Sequence, residues 1–307
     1  MSQPQPELAS AAKAASIHAR LLNRAKQRDE DLNTLLARYG TERLLYRLSI
    51  STAREQFLLK GALLFDLWFN APHRPTRDAD FLGFGPKDAS TLAATVQTIC
   101  TIEVDDGMRF DSESVAVIEI REEANYGGLR AKLRGFLGRS ICHVQLDVGY
   151  GDAVTPAPIE TELPTLLEGM LAPRLRVYSR ETVVAEKLEA IVSIGMGNSR
   201  MKDFYDLRAL LREGRLDSEI LGQAIAATFT RRSTPIPEDL PIGLTLEFAD
   251  DLLKQRQWDG FITRSKLQAP PLAQVVAEVA GGFAGPLRRA LQEVSNDQSM
   301  KRPPKRP

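Results

Sequence analysis

Two acids one residue apart, Asp78 and Asp80, stand where a proline-containing turn gives way to a short apolar run, Ala79 to Phe84. A glycine-led apolar segment, Lys60-Gly61-Ala62-Leu63-Leu64-Phe65, comes shortly before them. In a strand, residues i and i+2 point to one side, so the spacing aims both carboxylates the same way. Neighbouring carboxylates repel and do not both stay ionised without a compensating charge. A divalent cation supplies it, and Mg²⁺ is commonly held by one or two carboxylates together with substrate phosphates. The alternative is a polar strand entry carrying two solvated acids. Gly61, placed where a helix is expected to begin, has no side chain to block a phosphate from backbone N–H groups. Arg74 and Arg77 flank the acids and either offset their charge, meet phosphate or are solvated.

The surrounding periodicities place this stretch in an α/β module. Apolar residues at helical spacing from Ala11 to Leu48 suggest two helices with a turn near Tyr39-Gly40-Thr41-Glu42. A third helix is expected from about Thr52 to Phe69, a strand at Ala79–Phe84 and a helix at Asp88–Thr98. Alternation over Ser114–Glu122 and Ile141–Val148 gives two further strands. Prolines recur from Asp152 to Pro173, which reads as a crossing segment or linker. Helical patterns follow at Arg180–Ile194, Ser199–Leu211, Asp217–Phe229, Leu246–Leu253 and Leu272–Val294. The expected organisation is an N-terminal helical segment (1–50), an α/β core (51–155), a helical C-terminal domain (174–300) and a basic, Pro-rich disordered tail (301–307). The fold class is α+β, a mixed sheet with flanking helices followed by a mainly helical region.

A third acid, Asp147, closes the strand His143-Val144-Gln145-Leu146-Asp147-Val148. With Val144, Leu146 and Val148 on one face, Gln145 and Asp147 share the other. If this strand neighbours the Asp78/Asp80 strand, three carboxylates converge. Such a set serves a two-metal displacement, one ion activating an attacking hydroxyl and the other steadying a triphosphate. Asp152, in the glycine-rich turn that follows, is read as structural. In the helical half, Lys187 lies beside Leu188 and Ile191, and Asp203 and Asp206 share a helix face. These charges either decorate the surface, form a buried pair, or hold a nucleotide.

Forty basic residues balance forty acidic ones, which excludes a globally basic nucleic-acid binder and leaves local basic patches open. One such run is Arg121, Arg130, Lys132, Arg134 and Arg139, with Tyr126 and Phe136 interleaved; it suits an RNA backbone or a solvated hairpin. Two cysteines, Cys100 and Cys142, give no disulfide framework or Cys-rich zinc site, and His18, His73 and His143 are dispersed. No secretion signal or membrane-spanning window is read, so the cytoplasm is the expected compartment.

Taken in order, Leu59-Lys60-Gly61-Ala62, Thr76-Arg77-Asp78-Ala79-Asp80-Phe81, Asp147, Lys187-Leu188-Glu189-Ala190 and Lys202-Asp203-Phe204-Tyr205-Asp206-Leu207 resemble the AbiEii/AbiGii (MenT-type) toxin family of nucleotidyltransferases, within the DNA polymerase β-like superfamily. The match covers roughly residues 50 to 215. One residue departs: Ala62 stands where the superfamily usually has Gly or Ser, keeping the N–H without the hydroxyl, so the nucleotide grip is expected to weaken. The resemblance implies an NTP-dependent enzyme with Mg²⁺ or Mn²⁺ on Asp78 and Asp80 and with Asp147 helping to activate the attacking hydroxyl. It implies Asp147 as a third metal ligand beside Asp78 and Asp80, nucleotide contacts from Lys60, Gly61, Ala62, Thr76, Arg77 and Lys187, and an assisting acid at Asp203 or Asp206. The expected acceptor is RNA, foremost the tRNA 3′ end, and the expected partner an antitoxin encoded nearby. Two other readings stand beside it. One is the same fold modifying a small-molecule or protein hydroxyl; the other is a catalytically silent nucleotide-binding or interaction protein.

Overall fold

The structure, a computed structural model, describes residues 6–69, 73–76, 78–121 and 127–301. It divides into two units, residues 1–151 with 159–177, and residues 152–158 with 178–307.

In the first unit, helices α1 (Pro6–Arg28) and α2 (Leu32–Ile50) lead into β1 (Phe57–Lys60), α3 (Leu63–Phe69), β2 (Asp78–Gly83) and α4 (Ala89–Cys100). The long strands β3 (Met108–Arg121), β4 (Gly127–Leu137) and β5 (Ser140–Tyr150) follow, and β6 (Ile159–Glu162) and β7 (Arg174–Val177) complete the sheet. The order across it is β3-β4-β5-β2-β1-β7-β6. β2 runs parallel to β5 and β1 parallel to β7, and the other neighbours are antiparallel. Alternation decides which face is covered. Ala79 and Phe81, Leu129, Ala131 and Leu133, and Cys142, Val144, Leu146 and Val148 are buried, and α2 packs on β5 and α4 on β3 and β4. The acids of β2 and β5 belong to the opposite face. Burial pushes the Cys142 thiol up to about 11 and the Cys100 thiol to about 12, so both are unreactive core residues.

Three sequence expectations change here. The segment Tyr39-Gly40-Thr41-Glu42 is not a turn; it lies inside α2, and the break falls at residues 29–31, where Asp29 has φ 51° and Asp31 caps α2 through Thr34 N at 2.8 Å. Gly40 is there for contact: a Cβ on it would sit 3.0 Å from Cys142 Cβ and 3.2 Å from Val144, so the glycine lets α2 approach β5. The helix expected over 52–69 begins only at Leu63, because Phe57, Leu58 and Leu59 are all buried in β1, an interior strand covered on both faces. The stretch read as a linker contains β6, an edge strand that pairs with β7.

The second unit is helical: α5 (Arg180–Ile194), α6 (Met201–Glu213), α7 (Ser218–Arg231), α8 (Leu246–Asp250), α9 (Leu252–Arg264) and α10 (Leu272–Lys301). Side-chain caps open several of them, Ser179 accepting from Thr182 N at 3.1 Å, Asp217 from Ile220 N at 3.0 Å and Asp251 from Lys254 N at 3.0 Å. Gly214, at φ 69°, ends α6 in the left-handed conformation that glycine adopts without strain. Phe204 stacks on Phe248 at 5.3 Å in the core, and Trp258 donates its indole N–H to Pro270 O at 3.1 Å. No helix among the described residues is long and apolar enough to cross a membrane. The basic tail beyond Lys301 lies outside the described residues.

Candidate active site

Sheet register brings the charged residues of the first unit into one row. Lys60 pairs with Asp80 across β1 and β2, Asp80 with Asp147 across β2 and β5, and Asp147 with Arg130 across β5 and β4. Residues paired in this way share a face, so four strands present Lys60, Asp80, Asp147 and Arg130 side by side. Asp78 lies two residues before Asp80 on the same face, opposite Gln145. The row sits near the middle of the sheet, flanking the parallel β2–β5 pair.

Gly61 adjoins this row at the turn between β1 and α3, with φ 76°. A Cβ there would lie 2.8 Å from Asp80 Cβ and closer still to its carboxylate. The glycine is required by its backbone conformation and by the near approach of Asp80. Gly61→Ala is expected to cost about 1–2 kcal/mol from the left-handed backbone alone and to displace Asp80 further. Urea unfolding measures the first effect and loss of divalent-cation binding the second. Ala62 is buried and its carbonyl accepts from Phe65 N at 3.2 Å. Thr76 donates through Oγ1 to Asp78 O at 3.4 Å, tying the chain into β2. Arg77 lies outside the described residues, as does Tyr126.

Asp147 is engaged by cationic and amide groups of its own sheet. Arg130 holds both its oxygens, Nε to Oδ1 at 2.8 Å and Nη2 to Oδ2 at 2.7 Å, and Gln145 Nε2 adds a bond to Oδ1 at 3.2 Å. The Arg130 guanidinium is held above its usual pKa, chiefly by the hydrogen bonds it donates to Asp147 and then by the charges of Asp147, Asp78 and Asp80. Among the described residues no group of three or more His, Cys, Asp or Glu side chains comes together closely enough to hold a metal ion. The donor set that fits a hard divalent cation is the Asp78/Asp80 pair: oxygen ligands on one strand face, leaving coordination positions for water and phosphate oxygens. A cavity of about 60 Å³ opens beside Asp78, walled by Leu45, Leu63, Asp66, Thr76 and Leu163.

Of the remaining basic run, Arg134 is engaged by Asp111 at 2.9 Å, and Lys132 and Arg139 are exposed; Arg109, outside that run, stacks over Phe136 at 4.7 Å. Lys132 and Arg134 follow Arg130 at two-residue spacing on β4, so they share its face.

In the second unit, Lys187 on α5 meets two acids of α6, Asp203 at 2.6 Å and Asp206 at 2.8 Å. Both acids are 0% exposed and the lysine 11%. Arg200 adds a bond to Asp203 at 2.8 Å. Burial by itself would push the Asp203 carboxyl up, but Lys187, Arg200 and Lys202 together hold it below the usual aspartate range. A second buried cluster centres on Arg232, which binds Asp152 at 3.0 Å, Glu189 at 2.7 Å and Glu186 at 3.5 Å. Arg232 is invisible to motif reading, since its partners lie 43 and 80 residues away. Arg200 could have been found from its place three residues before Asp203 on a helix.

A family model described as the nucleotidyl transferase AbiEii toxin of type IV toxin–antitoxin systems matches residues 43–281. The chain belongs to that family, a class of toxin-like nucleotidyltransferases. No curated protein matches it. Among solved structures it is similar to JHP933 from Helicobacter pylori, at 13% identity and TM-score 0.43, over 88% of this chain and 98% of that one. It is also similar to a protein from H. pylori assigned as a nucleotidyltransferase, at 16% identity and TM-score 0.44, over 85% and 97%.

Proposed function

We propose that the protein transfers a nucleoside monophosphate from an NTP to a hydroxyl of RNA, foremost the 3′ end of a tRNA, as the toxin of a toxin–antitoxin pair. The observation that carries this reading is the Asp78/Asp80 pair on one strand face, with Gly61 packed against Asp80 and Asp147 in register beside it. The acceptor oxygen attacks the α-phosphorus, the bond to the β-bridging oxygen breaks, and pyrophosphate leaves.

Asp78 and Asp80 would hold Mg²⁺ or Mn²⁺. A cation bound there supplies positive charge that acidifies the attacking hydroxyl and offsets charge on the triphosphate. Asp147 is the group to accept the acceptor's proton. Lys60, Gly61, Ala62, Thr76 and Arg77 are assigned to the nucleotide, Gly61 by leaving backbone open to phosphate. For Asp203 and Asp206 we assign a positioning role, fixing the Lys187 ammonium, which is the group expected to meet phosphate. Lys132, on the exposed face of β4, is suited to an RNA backbone, where a cationic side chain contributes sequence-independent attraction.

The test is incubation of the purified protein with Mg²⁺, each α-labelled NTP in turn, and total tRNA. Label entering RNA supports the reading. Label entering protein or a small-molecule hydroxyl instead would place the chain with enzymes of other acceptors. Tight nucleotide binding with no transfer to any acceptor would make it a silent binding protein.

Lys132→Glu is expected to weaken RNA binding about threefold to tenfold at 50 mM salt, the size of one phosphate contact reversed in sign. The difference is expected to shrink as salt rises, which a filter-binding series reads.

A further inference from the structure

Asp147 stands in register with Asp80, yet it faces a cation already in the protein. Arg130 engages it with two parallel bonds, at 2.8 and 2.7 Å, and Gln145 takes a further site on Oδ1. The planar guanidinium fork matches a carboxylate geometrically, and such bidentate pairs are stronger and better oriented than single contacts. The pair is partly shielded, with Asp147 16% and Arg130 31% exposed. The guanidinium also lies in the field of Asp78 and Asp80 as well as that of Asp147. It therefore occupies a position where a metal ion would gain from the same three acids. Guanidinium and metal ion compete for one carboxylate.

We propose that Arg130 is a positioning residue that withholds Asp147 from the cation site, so that the wild-type protein binds a divalent cation through Asp78 and Asp80 alone. The inference rests on the metal-holding role proposed for those two acids. Removing the fork releases Asp147 toward them and tightens the site.

The test is Mn²⁺ binding to the full chain without nucleotide, read from the electron paramagnetic resonance signal of free Mn²⁺. Arg130→Gln is expected to tighten binding about tenfold, the scale of coupling between charged groups in one network. Asp147→Asn alone is expected to change it by no more than about threefold on the same scale. Adding Asp147→Asn to Arg130→Gln is expected to abolish the gain. That last comparison separates the idea from a general effect of deleting a positive charge, which would give an equal gain in both backgrounds and overturn the proposal. No gain from Arg130→Gln overturns it as well. If that variant loses its folded circular-dichroism spectrum, Arg130→Lys keeps the charge without the fork and is expected to give part of the gain; no gain from it counts against the proposal.

Asp80→Asn serves as the reference. If it abolishes Mn²⁺ binding while Arg130 variants leave binding unchanged, the inference about Arg130 fails alone. If it leaves Mn²⁺ binding intact, the cation site itself is misassigned and both readings fall.

Discussion

Asp80→Asn is expected to lower nucleotidyl transfer by about a thousandfold, the several kcal/mol that a bound cation contributes to the transition state. Asparagine keeps the shape of the side chain beside Gly61 and removes only the charge. Asp80 stands between Lys60 and Asp147 in the row, directly opposite another acid. With Lys60 on one side and an acid already paired to Arg130 on the other, the lost charge is largely offset, and the variant is expected to keep wild-type stability within about 1 kcal/mol. Activity and stability then move independently, which a mere structural acid would not allow. The measurement pairs transfer of α-labelled NTP to RNA with urea unfolding of the same preparation. An Asp80→Asn protein that transfers label at the wild-type rate would remove Asp80 from the mechanism.

Lys187→Met is expected to destabilise the protein by about 3–5 kcal/mol, because two fully buried carboxylates lose the cation between them. Asp203 and Asp206 are 0% exposed, and methionine matches the length of the lysine stem while offering them no donor. Arg200 still reaches Asp203 after the substitution. The same cluster fixes a pH dependence. The folded-state pKa of Asp203 lies below the ordinary aspartate value of 3.8, so its contribution to stability is fully present above that value. It is lost as pH falls through the lower folded-state value. In Lys187→Met the main cause of the depression is gone and burial opposes the charged form, so protonation relieves the buried carboxylate and the variant's deficit against the wild type is expected to narrow as pH falls. Urea midpoints from pH 7 down to pH 3 read both effects. Equal midpoints for variant and wild type across that range would show that the cluster does not hold α5 to α6.

The residues proposed to carry the chemistry were easier to read from the sequence than their partners. Asp78 and Asp80 sit two apart at the mouth of a short apolar run, and a strand's period alone gives them a common face. Asp147 followed from the alternation of Val144, Leu146 and Val148, which leaves Gln145 and Asp147 on the other side. That Asp147 is gripped by Arg130 was not legible, since it depends on the register of β4 against β5, a property of the assembled sheet. Gly40 misled for a related reason. Glycine in a helical pattern reads locally as a break, whereas here it answers a non-local demand, the close approach of α2 to Cys142. β1 was hidden inside an apolar run because interior strands covered on both faces lack the alternation that marks half-exposed ones. The caps of the second unit, Ser179, Asp217 and Asp251, act on N–H groups only two or three residues away and were a local signal that went unread.

The charge row has a consequence for the order of events. Lys60 and Arg130 set two cations against the three anions Asp78, Asp80 and Asp147, so this group by itself carries one net negative charge. A triphosphate approaching it is repelled. One divalent ion reverses the sign, leaving a net positive group that attracts the same polyanion. On the proposed function, the charge of this row favours nucleotide capture with the cation present, the metal entering first or arriving already attached to the phosphates.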